Sequence, residues 1–186
     1  MSSRTYLNID KRFKDHWIEE SRVKIGNTVG AGSFGKVYAG TYNDIQVAIK
    51  VYDRIIFGNL SISQKENMLK EFELMKQLIN PFTVRVYGLT TVDNCLAIVM
   101  EFGQGGTLKN LIENPVFRAD VELQYCILRD IAYGMKYIHS QNIVHRDIKP
   151  ANILIFEERH SKFRAKVSDY GESKVRKQSL STKFSN

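Results

Sequence analysis

The apolar positions along this chain switch repeatedly between two periods. "RVKIGNTVG" (22–30), "GKVYAGTY" (35–42) and "IQVAIKVY" (45–52) are rich in Val, Ile and Tyr with partial alternation, so each predicts a strand. The turn signal Tyr42-Asn43-Asp44 separates the second from the third, which gives a meander of three antiparallel strands. The period then lengthens. Ser63, with Glu66 three residues later, reads as a capping box. Beyond it Met68, Leu69, Phe72, Met75, Leu78 and Ile79 recur at three and four until Asn80-Pro81, which predicts a helix. "TVRVYGLTTV" (83–92) and "CLAIVMEF" (95–102) predict two more strands, joined at Asp93-Asn94.

"GQGG" (103–106) reads as a flexible break and as the boundary between two lobes. A short helix is expected near 107–113 and a long one near 120–140. The apolar face of the long helix is expected to comprise Cys126/Ile127, Leu128, Ile131, Met135 and Ile138. "NILIF" and "AKVSD" are short strands separated by a polar loop, "EERHSKFR". Residues 1–21 are polar, with one Trp and no clear period, and read as an arm or short extension. The order is five strands with one helix, then mostly helices, an α+β arrangement.

Composition narrows this picture. A chain of 186 residues, 43% apolar, has enough material for one sizeable core or two small lobes. Cys95 and Cys126 match no metal or redox spacing, so reduced structural thiols in the cytoplasm are expected. The longest purely apolar run, "CLAIVM", is too short to span a membrane, and "MSSRTYLNID" has neither an apolar signal core nor a Met-Gly start. The net charge of +7 is concentrated at one end: Arg159 to Asn186 holds eight Lys/Arg against Asp169 and Glu172. Such a tail is either a solvated basic segment or a surface that attracts phosphate. It shows no repeat, which argues against nucleic acid as a partner.

Four segments carry chemistry. In "VGAGSFGKVYAG", Gly30, Gly32 and Gly35 form G-x-G-x-x-G, a loop whose backbone N–H groups can approach phosphate closely. The plainer alternative is a glycine-rich hairpin turn. Asp53 lies near the distance of a ribose-binding acid, but a strand, not a helix, follows the glycines, which argues against a dinucleotide fold. No G-K-[ST] follows either. "VAIK" puts Lys50 in an apolar strand, where it either snorkels outward from an edge or faces a phosphate beneath the glycine loop. A buried lysine would want a carboxylate, and Glu71 and Glu73 on the capped helix are candidates. In "HRDIKPANIL", Asp147, Lys149 and Asn152 share a loop that Pro150 keeps from being helical. An Asp can take a proton from a hydroxyl, and an Asn oxygen can ligate Mg²⁺. A hairpin through "AKVSD" would bring Asp169 to Asn152, and one carboxylate with one amide oxygen suits Mg²⁺.

In order and spacing, the glycine loop, "VAIK", "HRDIKPAN" and "DYG" resemble the eukaryotic protein kinase family over roughly residues 22–171. The resemblance implies a two-lobed fold: a five-stranded antiparallel N-lobe with a regulatory helix at 22–102, and an incomplete, mainly helical C-lobe at 103–186 that ends within the activation segment. It implies ATP and Mg²⁺ as nucleotide and cofactor. Gly30, Gly32, Ser33 and Gly35 would cover the phosphates, Lys50 would hold them, and Glu71 rather than Glu73 would pair with Lys50. Asp147 would be the catalytic base, Lys149 would steady the transferred group, and Asn152 and Asp169 would hold the metal. Val37, Ala48 and Leu154 would sandwich adenine, with Met100 behind it and Glu101 and Gly103 bonding its edge. Met75, Val86, His145 and Tyr170 would stack as a second column, although ordinary core packing accounts equally for Met75 and Val86.

Lys149 sits where serine/threonine kinases of this family place a lysine, so the implied acceptor is a protein Ser or Thr; the N-terminal strands are similar to the tyrosine-kinase-like group. Two features depart from the pattern. Tyr170 stands where Phe is usual, adding a hydroxyl to a packing ring. The helices of the family that follow the activation segment are not in this sequence. A partner or further domain covering the C-lobe is therefore expected, as are weak Mg-ATP binding and poor transfer to peptides by these 186 residues. The alternative is a regulatory module that binds nucleotide without transferring phosphate. Control by phosphorylation at Ser179, Ser181 or Thr182, held by Arg146, Arg176 and Lys177, is also implied.

Overall fold

The computed structural model describes residues 11–32, 35–56, 61–158 and 162–175. Ser33, the stretch 176–186 with its three candidate phosphoacceptors, and the side chains of Met68 and Leu69 lie outside the described residues. The first five strands are β1 (Val23–Gly32), β2 (Gly35–Tyr42), β3 (Ile45–Ile56), β4 (Val86–Val92) and β5 (Cys95–Glu101). They form one antiparallel sheet in the order β1-β2-β3-β5-β4. Two-residue turns close two of its hairpins. Asn43-Asp44 have φ of 48° and 63°, and Asp93-Asn94 have 50° and 64°, the left-handed pairs that match strand twist.

Helix α1 (Ile62–Gln77) joins β3 to β4 and packs Phe72 and Met75, with Leu78 just beyond it, against the inner face of the sheet. It begins one residue before Ser63, whose hydroxyl lies 3.1 Å from that of Ser61, so Ser63 is inside the helix rather than capping it. It also stops before Leu78. Ile79, expected on the apolar face, is 74% exposed because the chain has already left the helix. The outer face of the sheet has its own cluster, Val47, Ile49, Val51, Ala97 and Val99, covered by Ile18. That residue belongs to the N-terminal segment. Trp17 bridges to Leu89, and Ile18 donates its N–H to the Leu89 carbonyl at 2.7 Å, so the segment runs beside β4.

The second half is built around α4 (Val121–Ser140), preceded by α2 (Leu108–Ile112) and α3 (Pro115–Ala119). Asp120 caps α4 by accepting from the Leu123 N–H at 2.8 Å. The buried stripe of α4 is Ile127, Gly134 and Ile138, with Asp130 beside it. Leu128 departs from expectation at 65% exposed, because it lies one residue out of phase with the 127–131–134–138 row. Short strands β6 (Ile143–Val144) and β9 (Lys174–Val175) pair, as do β7 (Ile153–Glu158) and β8 (Lys162–Val167).

Two further expectations are corrected. Most of the polar "loop" 157–164 is strand: Glu157 pairs with Phe163 and Glu158 with Lys162 in register, and Glu158 bonds Arg164 across the hairpin. Phe163 packs against the core, but a single apolar residue among polar ones gives no alternating signal. The "flexible" 103–106 segment is closely packed. The Gly105 N–H bonds the Ile155 carbonyl at 3.0 Å and the Ile155 N–H bonds the Gly106 carbonyl at 2.9 Å. A Cβ on Gly105 would come within 2.7 Å of the Ile155 side chain, so this glycine serves close approach. Among the described residues no helix is long and apolar enough to cross a membrane.

Candidate active site

The upper part of the site is set by sheet register. Gly30 pairs with Val37, Val37 with Lys50, and Lys50 with Ile98, so these positions lie in one row across four strands. The turn that joins β1 to β2 closes at Gly32 opposite Gly35. Gly35 has φ of 138°, and a Cβ there would fall 1.9 Å from the Val51 carbonyl oxygen, so no other residue fits. Ala48, Met100 and Val86 form the neighbouring row on the same face.

Lys50 is not an edge-strand lysine. Its strand is central, its side chain is only 13% exposed, and its ammonium lies 3.0 Å from Asp169 Oδ1 and 3.6 Å from Glu71 Oε1. Glu73, the other candidate on α1, is exposed. Glu71 therefore faces the sheet by helix phase. Tyr52, two residues past Lys50 on the same strand face, also reaches Glu71, donating its hydroxyl to Oε1 at 3.3 Å. Sequence reasoning passed over Tyr52; the strand period alone would have placed it beside Lys50.

The lower part is a compact loop between β6 and β7. His145 is 1% exposed and both its ring nitrogens are committed. Nε2 bonds the Ser168 carbonyl at 2.9 Å, and Nδ1 accepts the Asp147 N–H at 3.3 Å. These partners assign the neutral Nε2–H tautomer. Burial agrees, pushing the imidazole below its ordinary value despite the raising effect of Ser168. Asn152 donates its side-chain N–H groups to the Asp147 carbonyl at 2.8 Å and to Asp147 Oδ2 at 2.9 Å. Lys149 meets the same Oδ2 at 2.7 Å. The Lys149 bond, with help from Asn152, holds the Asp147 carboxyl below the usual range, so it is ionised at neutral pH.

Ser168 ties the loop to the segment that carries Asp169. Its N–H and its hydroxyl both donate to the Asn152 carbonyl at 2.9 Å. Asp169 itself is held at φ of 60°. Tyr170 is buried against His145, with ring centres 5.1 Å apart, and its hydroxyl donates to the Val167 carbonyl at 3.1 Å. Ser173 closes the segment by donating to the His145 carbonyl at 3.1 Å. Neither serine was singled out from sequence, where nothing separates them from ordinary loop hydroxyls.

At the junction of the two parts, the Glu101 carboxylate accepts from Lys166 Nζ at 2.7 Å and from the Arg85 N–H at 3.0 Å. Its side chain is thus turned into a brace between β5 and β8. A Cβ on Gly103 would lie 3.2 Å from Leu154 Cβ, so the linker runs directly over β7. Val37, Ala48 and Leu154 all border the same apolar cluster. Among the described residues no group of three or more His, Cys, Asp or Glu could hold a metal ion. What the site offers is sparser. Asp169 has a carboxylate beside Lys50, and Asn152, its side-chain nitrogen turned to Asp147, has an amide oxygen that this bond leaves unused. Oxygen donors of these kinds suit Mg²⁺, which keeps waters and phosphate oxygens as most of its ligands.

Comparison with known proteins places the chain in a family. The family model for protein tyrosine and serine/threonine kinases matches residues 23–185. The serine/threonine-protein kinase TNNI3K of Mus musculus is 35% identical over 84% of this chain and 18% of its own length. The serine/threonine-protein kinase STY46 of Arabidopsis thaliana is 32% identical over 95% of this chain and 30% of its own. The tyrosine-protein kinase ZAP-70 of Mus musculus is 33% identical over 79% and 23% respectively. The chain thus spans less than a third of the length of each of these relatives. With its five-stranded antiparallel lobe, its glycine turn and its paired loops, the chain belongs to the protein tyrosine and serine/threonine kinase family.

Proposed function

We propose that this protein binds Mg-ATP between the sheet and the β6–β7 loop and transfers the γ-phosphoryl group to a serine or threonine hydroxyl of a protein. The observation that carries the reading is the convergence of Lys50, Glu71 and Asp169, drawn from three separate elements, at one ionic cluster beside the Asp147–Asn152 loop. In this reading residues 22–102 act as the N-lobe and 103–186 as part of the C-lobe. Gly30, Gly32, Ser33 and Gly35 cover the phosphates with backbone N–H groups, and Lys50 neutralises their charge while Glu71 orients it. Val37, Ala48 and Leu154 enclose the adenine, Met100 closes the back of its pocket, and the backbone of Glu101 and Gly103 bonds its edge. Asn152 and Asp169 would hold Mg²⁺, which would supply charge neutralisation for the phosphates.

Asp147 Oδ accepts the proton as the acceptor hydroxyl oxygen bonds to the γ-phosphorus and the bond to the β,γ-bridging oxygen breaks. A carboxylate with lowered basicity suffices, because in a loose transition state the proton moves late. Lys149, already on Asp147 Oδ2, keeps the carboxylate aimed and stands beside the transferred group. The choice of Ser/Thr over Tyr rests on Lys149 and on the serine/threonine kinases among the relatives. The reading sets the protein in the cytoplasm, where ATP and Mg²⁺ are abundant and its two free cysteines stay reduced.

A second reading, a regulatory module that binds nucleotide without transfer, draws on one distance. Lys50 lies nearer to Asp169 than to Glu71, so the metal-binding carboxylate is engaged by the lysine. Incorporation of labelled γ-phosphate into a generic protein substrate separates the two. Transfer by the wild type that falls about 10²–10⁴-fold in Asp147→Asn, with Mg-ATP affinity retained, supports the enzyme. Mg-ATP binding with no transfer above the Asp147→Asn level supports the regulatory module.

A further inference from the structure

Tyr52 is 4% exposed, and its neighbours are not those of a purely apolar core residue. Its hydroxyl donates to Glu71 Oε1 at 3.3 Å, and the Lys50 ammonium stands 5.4 Å from the centre of its ring. It therefore touches both members of the pair that spans β3 and α1. We infer that Tyr52 is a positioning residue: its hydroxyl holds Glu71 against the sheet and so keeps α1 in the arrangement that receives nucleotide phosphate. The inference rests on the nucleotide-binding reading above.

Three observations carry it. First, Lys50 is shared, lying 3.0 Å from Asp169 but 3.6 Å from Glu71, so of these two ion pairs the one to Glu71 is the looser. A lysine that moves toward a phosphate loosens that grip further. The Tyr52 bond does not depend on where Lys50 goes. Second, the bond joins strand to helix across 19 residues of sequence, so it reports the position of α1 and not merely local packing. Third, burial and the adjacent Glu71 carboxylate both raise the Tyr52 phenol, which stays a protonated donor throughout the accessible pH range. A phenylalanine would fill the same core volume. The hydroxyl alone separates positioning from packing.

The experiment is a double-mutant cycle on the full chain, read by calorimetric titration with ATP and Mg²⁺ in wild type, Tyr52→Phe, Glu71→Gln and the double variant. Loss of one hydrogen bond to a charged group predicts that Tyr52→Phe weakens Mg-ATP binding about 3–10-fold in the wild-type background. In the Glu71→Gln background the same change should weaken binding less, since the amide oxygen can still accept the hydroxyl but no carboxylate is left to pair with Lys50. A Tyr52→Phe protein with wild-type affinity overturns the inference. So does equal weakening in both backgrounds, which would make Tyr52 act by packing alone. Hydrogen exchange gives an independent reading. The amides of Phe72 to Met75 should exchange faster in Tyr52→Phe, with those of β3 and β5 unchanged; uniform acceleration contradicts a positioning role. A wild-type chain that fails to bind Mg-ATP at all overturns the nucleotide reading itself, an outcome distinct from the other two.

Discussion

The two halves of the site are held together in opposite ways. The upper half joins Lys50, Glu71 and Asp169 by ion pairs between long side chains whose backbones belong to a strand, a helix and a loop 119 residues downstream. The lower half sets His145, Asp147, Lys149 and Asn152 within eight residues, each tied to backbone or to its neighbour and anchored by Ser168. Long-range ion pairs follow the relative position of the elements that carry them, whereas short backbone-linked networks resist displacement. On the proposed function, nucleotide affinity would be adjustable from above, through α1, while the groups that would lie nearest an acceptor hydroxyl are fixed in advance from below.

That contrast can be broken in steps. Lys50→Met removes a charge from the upper half without disturbing a backbone bond. It should weaken Mg-ATP binding about 10–100-fold by titration calorimetry, with little change in the urea midpoint. Asn152→Ala strikes the lower half, which is built into the fold. Asn152 is buried and braces Asp147 twice, so its loss should lower unfolding stability by about 1–3 kcal/mol in urea denaturation. A stability loss from Lys50→Met as large as that from Asn152→Ala would erase the distinction. Tyr170→Phe removes only the hydroxyl bond to the Val167 carbonyl and should cost about 0.5–1.5 kcal/mol in the same assay, leaving the ring packed on His145.

The smallest expected effect is a pH dependence. Unfolded, His145 takes a proton near its ordinary value of 6.5; folded, burial holds it lower. Between these values the unfolded chain binds more protons, so stability falls as pH drops below about 6.5. The slope from this group is less than one proton. His145→Gln should remove that part of the slope, measured as urea midpoints between pH 7.5 and pH 5. A slope unchanged by the substitution would mean that His145 is not the neutral, doubly bonded ring described above.

The halves also differ in how far the sequence reveals them. The strands of the sheet were legible because period 2 and the Asn43-Asp44 and Asp93-Asn94 turns agree with one another. The lower loop is written in eight consecutive residues, so its members could be grouped without a structure. The upper half could not be closed from residue pattern alone. Glu71 and Glu73 are equivalent until helix phase against the sheet is known, and only the family resemblance chose between them. Tyr52 was invisible because an aromatic residue in a strand has an ordinary packing explanation. Gly105 was misread because glycine signals either freedom or close approach, and the position of Ile155 decides which. Leu128 was misplaced by a one-residue error of phase, and Trp17 and Ile18 form too short an apolar stretch to show that they flank β4.

The central claim is that both halves serve one nucleotide. Its most direct test is calorimetric titration of the full chain with ATP, in the presence of Mg²⁺ and then of a chelator, beside Asp169→Asn. Asp169 touches Lys50 from the upper half and follows the Ser168 anchor of the lower, so it is where the two meet. The account predicts one site per chain, weakened by removal of Mg²⁺, and an Asp169→Asn protein that binds ATP without responding to Mg²⁺. Absence of ATP binding, or an unaltered Mg²⁺ response in Asp169→Asn, would contradict it.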